Sequence, residues 1–181
     1  MTESTPLHVI FGTGPLGLAT LRALRAAGHS VRMINSRGVA DLPAGVEIRA
    51  CDALDAEAAR AAAAGATVVY QCTNLSYERW SAELPTLQDN ILEAAVSAGA
   101  RLVIADNLYM HGPSDAPLTE ETPWDATTKK GRVRALMARA ALAQHNAGRL
   151  PVSIARGSDF FGPNVLNAVL GFFEPLKGQR V

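Results

Sequence analysis

The sequence predicts an α/β fold, a doubly wound parallel sheet with helices on both faces. Short apolar segments alternate with helical patterns along the 181 residues. These segments are continuous apolar runs, as in strands that are covered on both faces. Their short connections favour parallel strands joined by right-handed crossovers. A G-x-G-x-x-G segment directly follows the first apolar run, which is typical of a strand-to-helix turn in this fold.

Six strands are predicted from these runs, the third of them the weakest: residues 7–11, 31–34, 47–50, 67–70, 101–105 and 152–155. Helices are predicted between them from apolar residues at helical spacing. The first helix ends at Gly28, and Asp55 caps a second over residues 56–64. A third ends at Gly99, and the fourth ends near Gly148. Trp80 and Trp124 are predicted in loops or at helix edges.

Composition excludes several function classes. Lys and Arg together number 17, as do Asp and Glu, and this zero net charge disfavours a nucleic-acid-binding protein. The chain has no run of about 18 apolar residues to span a membrane and no signal-peptide pattern. Its two cysteines, Cys51 and Cys72, cannot form a disulfide framework or a four-ligand zinc site. We therefore expect a cytoplasmic protein without a metal site.

The glycine-rich segment predicts a Rossmann-type dinucleotide-binding loop. Gly12 permits the tight turn, Gly14 lets the backbone approach a pyrophosphate, and Gly17 lets the helix lie close to the strand. The helix then presents free N–H groups to the phosphates. The alternative, a tight turn that binds nothing, is disfavoured by position and spacing. The residues of the segment are Gly12, Thr13, Gly14, Pro15, Leu16 and Gly17.

The end of the second strand favours NADP(H) over NAD(H). The residues there are Asn35, Ser36 and Arg37, with no acid to bind the ribose hydroxyls of NAD. Arg37 can meet a 2′-phosphate with charge-assisted hydrogen bonds, and Ser36 can add a hydroxyl. The alternative is that Arg37 is a solvated loop residue.

Further segments occur in a characteristic order. Asp52 follows the third strand, and a turn of small and polar residues follows the fourth. Residues 104–113 cover the end of the fifth strand and the loop that follows it. Lys130 lies at the start of the long helix, and residues 156–163 follow the sixth strand. With the glycine loop, these segments resemble the extended or atypical short-chain dehydrogenase/reductases, the NAD-dependent epimerase/dehydratase group. The resemblance extends over nearly the whole chain.

The resemblance implies roles for the residues that match. Asp52 hydrogen-bonds the adenine amine, and Lys130 binds the nicotinamide ribose. Asn107 stands where the family has the serine that polarises the substrate oxygen, and its amide can still donate a hydrogen bond. The turn after the fourth strand, which lies against the cofactor ribose in the family, consists here of Cys72, Thr73 and Asn74.

The chain departs from the family at the catalytic tyrosine. None of the tyrosines, Tyr70, Tyr77 and Tyr109, is followed by a lysine at the fourth position. Ala126 occupies the family position if Lys130 is the family lysine, and Asp125 occupies it if Lys129 is. Tyr109 or Asp125 could serve as the proton carrier instead. The alternative for both is an ordinary loop residue.

The resemblance also implies a domain division. Residues 1–163 form an NAD(P)-binding domain, and residues 164–181 begin a C-terminal substrate lobe that is truncated or absent. The apolar tail packs on the sheet, is covered by a partner subunit, or belongs to a truncated chain. Relatives dimerise through two long helices, and residues 84–98 and 129–147 are their counterparts, so a homodimer is a hypothesis.

Three functions remain open at this level. The first is an NADP(H)-dependent oxidoreductase or epimerase/dehydratase for an unspecified carbonyl, hydroxyl or sugar substrate, with Asn107, Lys130 and Tyr109 as catalytic residues. The second is a non-catalytic NADP(H)-binding sensor or partner protein, favoured by the missing Tyr-x-x-x-Lys pair. The third is an incomplete domain that binds weakly or not at all.

Overall fold

The computed structural model describes residues 5–158, 160, 162–163 and 165. This part of the chain forms one parallel sheet in the order β3-β2-β1-β4-β5-β6, with four helices. The predicted fold class is confirmed, and the strand order reverses between β1 and β4. The elements are β1 (Leu7–Phe11), α1 (Pro15–Ala26), β2 (Ser30–Asn35), β3 (Glu47–Ala50), α2 (Ala56–Ala63), β4 (Val68–Gln71), α3 (Trp80–Ala98), β5 (Arg101–Asn107), α4 (Lys129–Asn146) and β6 (Val152–Gly157).

The last two strands extend beyond their predicted ends. The prediction ended β5 at residue 105 because polar residues follow, but Asp106 and Asn107 stay in the ladder and pair with Arg156 and Gly157. Asp106 can remain buried because Arg134 and Arg156 lie beside its carboxylate. Buried ionised groups are stable in a strand only when they are paired in this way. The extension carries Asn107 to the carboxyl edge of the sheet.

Two apolar clusters cover the two faces of the sheet. The smaller joins Leu21 of α1 to Ile10, Val31 and Met33 on the central strands. The larger packs α2, α3 and α4 against the opposite face and includes Trp80, the first residue of α3. Trp80 lies at a helix edge as predicted, yet it is buried, and its indole N–H donates to Leu75 O at 2.9 Å. This tryptophan therefore anchors the loop between β4 and α3.

Local signals fix the helix ends. The Asp55 carboxylate accepts hydrogen bonds from the N–H groups of Glu57 and Ala58 and so caps α2, as predicted. Gly99 ends α3 in a left-handed conformation, with φ +64°. Thr128 Oγ1 accepts from Gly131 N at 3.0 Å and so starts α4 at Lys129. This last cap sets the position of Lys130.

His8 lies buried in β1, with its Nδ1 3.0 Å from the hydroxyl of Tyr70 and its ring 4.3 Å from that of His29. Burial, together with His29, lowers the pKa of His8 below 6.5. The unfolded chain then binds the proton more readily, so we expect the free energy of unfolding to decrease as the pH falls through 6.5. Urea unfolding at pH 7.5 and 5.5 checks this. His8→Gln is expected to reduce the decrease, and an unchanged decrease would contradict it.

Residues 164–181, predicted as the start of a further lobe, lie outside the described residues except for Val165. Within the part that is described, no helix has the length and apolarity needed to cross a membrane. Over the same residues, no three His, Cys, Asp or Glu side chains are grouped so that they could hold a metal ion.

Candidate dinucleotide and catalytic site

A cleft of about 630 Å³ opens at the carboxyl edge of the sheet, where the strand order reverses. In a doubly wound sheet this is the position at which ligands bind. Every residue that the sequence predicted for the cofactor lines it, except Gly17 and Lys130. The predicted residues in its wall are Gly12, Thr13, Gly14, Pro15, Leu16, Asn35, Ser36, Arg37, Asp52, Cys72, Thr73 and Asn74.

Each of the three positions in the loop favours glycine for a different structural reason. Gly12 has φ +114°, and a Cβ there would lie 2.8 Å from the backbone of Cys72. A Cβ on Gly17 would lie only 2.0 Å from Gly12 O, so this glycine lets α1 begin close to β1. A Cβ on Gly14 would meet no atom within 4 Å. The space beside Gly14 therefore belongs to the cleft, and filling it would affect a ligand and not the fold.

At the end of β2, Asn35 is a structural residue, whereas Arg37 is a cation with no ion-pair partner among the described residues. Asn35 donates to Thr13 Oγ1 and Val39 O and accepts from the N–H groups of Arg37 and Gly38, at 2.7–3.0 Å. Its side chain therefore ties β2 to the glycine loop. Arg37 is exposed in the cleft wall, and its guanidinium has no ion-pair partner among the described residues. An anionic ligand could bind this guanidinium without displacing a protein carboxylate.

The cleft wall also contains Asp52 and a residue that sequence reasoning missed. Asp52 follows β3, and its carboxylate accepts from Leu54 N at 3.0 Å. Arg79, the N-cap residue of α3, also lines the cleft and pairs with Glu83 one turn along the helix. No pattern in the sequence distinguishes this arginine from the other exposed ones, because its position depends on how α3 packs.

Cys72 is a structural residue of the cleft wall. Its Sγ lies 3.8 Å from Thr20 Oγ1, and burial raises the pKa of its thiol. A buried neutral thiol is a poor nucleophile. Burial likewise raises the pKa of Cys51 to about 11. Both cysteines therefore contribute small side chains to the site and not reactive ones.

Beyond Asn74 lies a group of side chains that we call the tyrosine–lysine cluster: Tyr77, Trp80, Tyr109 and Lys130. The Tyr77 and Tyr109 hydroxyl oxygens are 3.2 Å apart. The Lys130 ammonium lies 3.6 Å from the centre of the Tyr77 ring. The ring centre of Trp80 is 4.9 Å from that of Tyr77 and 6.1 Å from that of Tyr109. Three separate elements thus bring two phenols and an ammonium together.

Backbone contacts place Asn107 next to this cluster and bring Lys130 into it. Asn107 Oδ1 accepts from Tyr109 N at 3.1 Å, which leaves the amide Nδ2 as the donor of that side chain. Gly131 lets α4 approach the loop after β5, since a Cβ there would lie 2.2 Å from Tyr109 O. Spacing in the sequence does not indicate Gly131 or Tyr77 as site residues, because their partners are distant along the chain.

A buried charge network lies under the site. Arg134 Nη1 is 3.4 Å from Asp106 Oδ1, and Arg156 Nε is 3.8 Å from Asp106 Oδ2. The Arg134 guanidinium also donates to Asn74 Oδ1 at 3.3 Å and lies 4.1 Å from the centre of the Trp80 ring. Burial raises the pKa of Asp106, and the two arginines oppose that rise. Arg134 therefore connects the cofactor cleft to the strand that carries Asn107.

The predicted alternative proton carrier, Asp125, has a structural contact. Its carboxylate accepts from Gly112 N at 2.7 Å and so holds the loop after β5 closed on itself. Trp124 beside it lies 5.0 Å from the Arg156 guanidinium and 5.6 Å from that of Arg139. These contacts support the interpretation of Asp125 as a loop residue.

Comparison with known sequences agrees with this geometry. The sequence profile of the NAD dependent epimerase/dehydratase family matches residues 9–172. The chain belongs to this family. One family-like relative, an uncharacterised protein (y4nL) of Sinorhizobium fredii, is 28% identical over 172 residues. That match covers 89% of this chain and 46% of the relative, so the chain spans about half the length of the curated relative it matches.

Solved structures share the fold. A dTDP-glucose 4,6-dehydratase of Streptomyces venezuelae, crystallised with NAD, matches with a TM-score of 0.79 at 20% identity, over 95% of this chain and 62% of its own. A UDP-N-acetylglucosamine 4-epimerase of Bacillus cereus matches at 0.74 and 15% identity, over 87% and 55%. A uronate dehydrogenase of Agrobacterium tumefaciens matches at 0.72 and 19% identity, over 81% and 58%. These structures therefore share the fold of the chain, which spans 55–62% of their length.

Proposed function

We propose that this protein is an NAD(P)-dependent oxidoreductase of the epimerase/dehydratase type that acts on a hydroxyl or carbonyl group of a sugar-like substrate. The observation that carries the proposal is the placement of two sets of residues at one edge of the sheet. The cleft opens at the carboxyl edge of the sheet, and β5 carries Asn107 to the same edge, where Tyr109 and Lys130 belong to the tyrosine–lysine cluster. The names of the similar structures support the substrate class, since they include a dehydratase, an epimerase and a dehydrogenase of sugar derivatives.

The residues of the cleft fit a dinucleotide. The open space beside Gly14 and the N-terminus of α1 suit a pyrophosphate, because backbone N–H groups there are free to donate. Asp52 lies in the cleft wall and would meet adenine. Lys130, which contacts Tyr77 outside the cleft wall, would hold the nicotinamide ribose. Thr73 and Asn74 also line the cleft.

The chemistry divides between cofactor and protein. A bound nicotinamide would supply or accept a hydride. The Asn107 amide donates a hydrogen bond that orients and polarises the substrate oxygen, as an oxyanion donor does. A tyrosine hydroxyl, for which Tyr109 is the candidate from sequence, moves the proton on that oxygen. Absorbance at 340 nm with a panel of uronates and nucleoside-diphosphate sugars tests the proposal, and a protein that binds neither NADH nor NADPH would contradict it.

Arg37 supports a preference for NADP(H). Because its guanidinium has no described ion-pair partner, we expect Arg37→Ala to weaken NADPH binding about 10- to 100-fold and to leave NADH binding within twofold. Titration followed by nicotinamide fluorescence measures both. Arg60→Ala, an exposed arginine paired with Glu57 on α2, is the matched control. Equal weakening of both cofactors by Arg37→Ala would contradict the preference.

The second candidate function is a non-catalytic NADP(H)-binding sensor. The observation in its favour is Ala126, which occupies the position of the family tyrosine relative to Lys130. Tight NADPH binding without turnover of any substrate in the panel would support it.

The helices α3 and α4 remain the surface proposed for a homodimer, and Leu136 on α4 is 59% exposed. A cytoplasmic location stays an expectation.

A further inference from the structure

Ala126 occupies the position of the family tyrosine, four residues before Lys130. The ammonium of Lys130 nevertheless contacts a phenol ring. That phenol is Tyr77, which comes from the loop between β4 and α3 and not from α4. We propose that Tyr77 is the catalytic tyrosine of this protein, with Lys130 as its cationic partner and the Tyr109 hydroxyl as its proton relay. This inference rests on the proposed function and deepens it.

Geometry favours Tyr77 over Tyr109 as the group that meets the substrate. Tyr77 is 50% exposed, whereas Tyr109 is only partly exposed and packs against the larger apolar cluster. Lys130 contacts the ring of Tyr77, and Trp80 supports the same ring from α3 at 4.9 Å. The hydroxyl of Tyr77 lies 3.2 Å from that of Tyr109, so a proton can pass between them.

The charges around the pair favour proton loss from a tyrosine during reaction. An ammonium over a ring interacts more strongly with a phenolate than with a phenol, because the ring then carries negative charge. The Arg134 guanidinium is close enough for its charge to interact with both tyrosines. The Glu78 carboxylate interacts with Lys130 and partly offsets its positive charge, but Glu78 is fully exposed and its charge is screened by solvent.

The proton step balances in the reducing direction. The substrate carbon receives the hydride, and its carbonyl oxygen takes the proton of the Tyr77 hydroxyl, while the Asn107 amide holds that oxygen. The Tyr77 phenolate, stabilised by Lys130, then regains a proton from the Tyr109 hydroxyl, which is reprotonated by solvent. Oxidation of a hydroxyl follows the same path in reverse.

Nitration by tetranitromethane tests the pairing without a known substrate, because this reagent attacks the phenolate form of tyrosine. The full-length protein is treated at pH 7.5, and peptide mass spectrometry gives the nitration rates of Tyr77, Tyr109 and Tyr70. We expect Lys130→Met to slow nitration of Tyr77 about fivefold to tenfold, and saturating NADP⁺ or NAD⁺, whichever binds, to slow it in the wild type. Lys129→Met, which changes the adjacent lysine, is the matched control.

The outcomes separate this inference from the proposed function. Binding of NADH and of NADPH, measured by fluorescence on the same samples, tests the dinucleotide cleft. If neither binds, the proposed function fails, while the nitration rates still report on Tyr77 and Lys130. Equal slowing of Tyr77 nitration by Lys129→Met and Lys130→Met, or no protection by the bound oxidised dinucleotide, would overturn the role of Tyr77. With any substrate that is turned over, Tyr77→Phe must lower kcat at least 100-fold, and Tyr70→Phe must not.

Discussion

Gly14→Val is expected to abolish dinucleotide binding and to leave the stability of the fold unchanged. The backbone of Gly14 is extended, with φ −74° and ψ −179°, which valine adopts readily. A Cβ there meets no protein atom within 4 Å, so the new side chain projects into the cleft where a pyrophosphate would approach. We expect a loss of about 100-fold or more in NADH and NADPH affinity. Nicotinamide fluorescence and urea unfolding together measure the two effects.

Gly17→Ala, three residues along the same loop, is the matched comparison and is expected to behave in the opposite way. Its Cβ would lie 2.0 Å from Gly12 O, which is backbone and cannot move aside without opening the turn. We expect the free energy of unfolding to fall by about 3 kcal/mol, as in overpacked cores. If Gly14→Val destabilised the protein as much as Gly17→Ala, the open space beside Gly14 would not be a ligand site.

Arg134→Met is expected to destabilise the protein by about 3 kcal/mol, because among the described residues it leaves the buried carboxylate of Asp106 with one ion-pair contact, the longer one to Arg156, beside its hydrogen bond from Asn107 N. The Arg134 side chain also supports Asn74 in the cofactor cleft, so cofactor affinity should fall as well. Burial already raises the pKa of Asp106, and the variant removes the cation that opposes this rise. The deficit should therefore shrink as the pH falls and the carboxyl group takes up a proton.

Urea unfolding at pH 7 and pH 4 checks the Arg134 prediction. Arg132→Met, an exposed position on the same helix, is the control and should change stability by less than about 0.5 kcal/mol. The double variant Asp106→Asn/Arg134→Met should lose less than the sum of the single variants, since the two residues share one interaction. Additive losses, or a deficit that does not depend on pH, would contradict the ion-pair interpretation.

The amino-acid sequence predicted the elements and most of the residues that line the cleft. The strands are short apolar runs, the caps at Asp55 and Gly99 are local, and the close approach of Gly17 to Gly12 lies within the glycine loop itself. Such features depend on near neighbours and can be predicted from spacing. The prediction ended β5 early because the partners of Asp106 lie on α4 and β6, far along the chain.

The catalytic half of the site was decided only by the tertiary structure. The sequence pointed to Lys130 and to an absent tyrosine four residues before it. It could not show that Tyr77, from a loop 53 positions earlier, lies under the same ammonium. That contact exists because buried Trp80 anchors the β4–α3 loop and Gly131 lets α4 approach the loop after β5. Packing between distant elements, and not any local pattern, places the phenol beside the lysine.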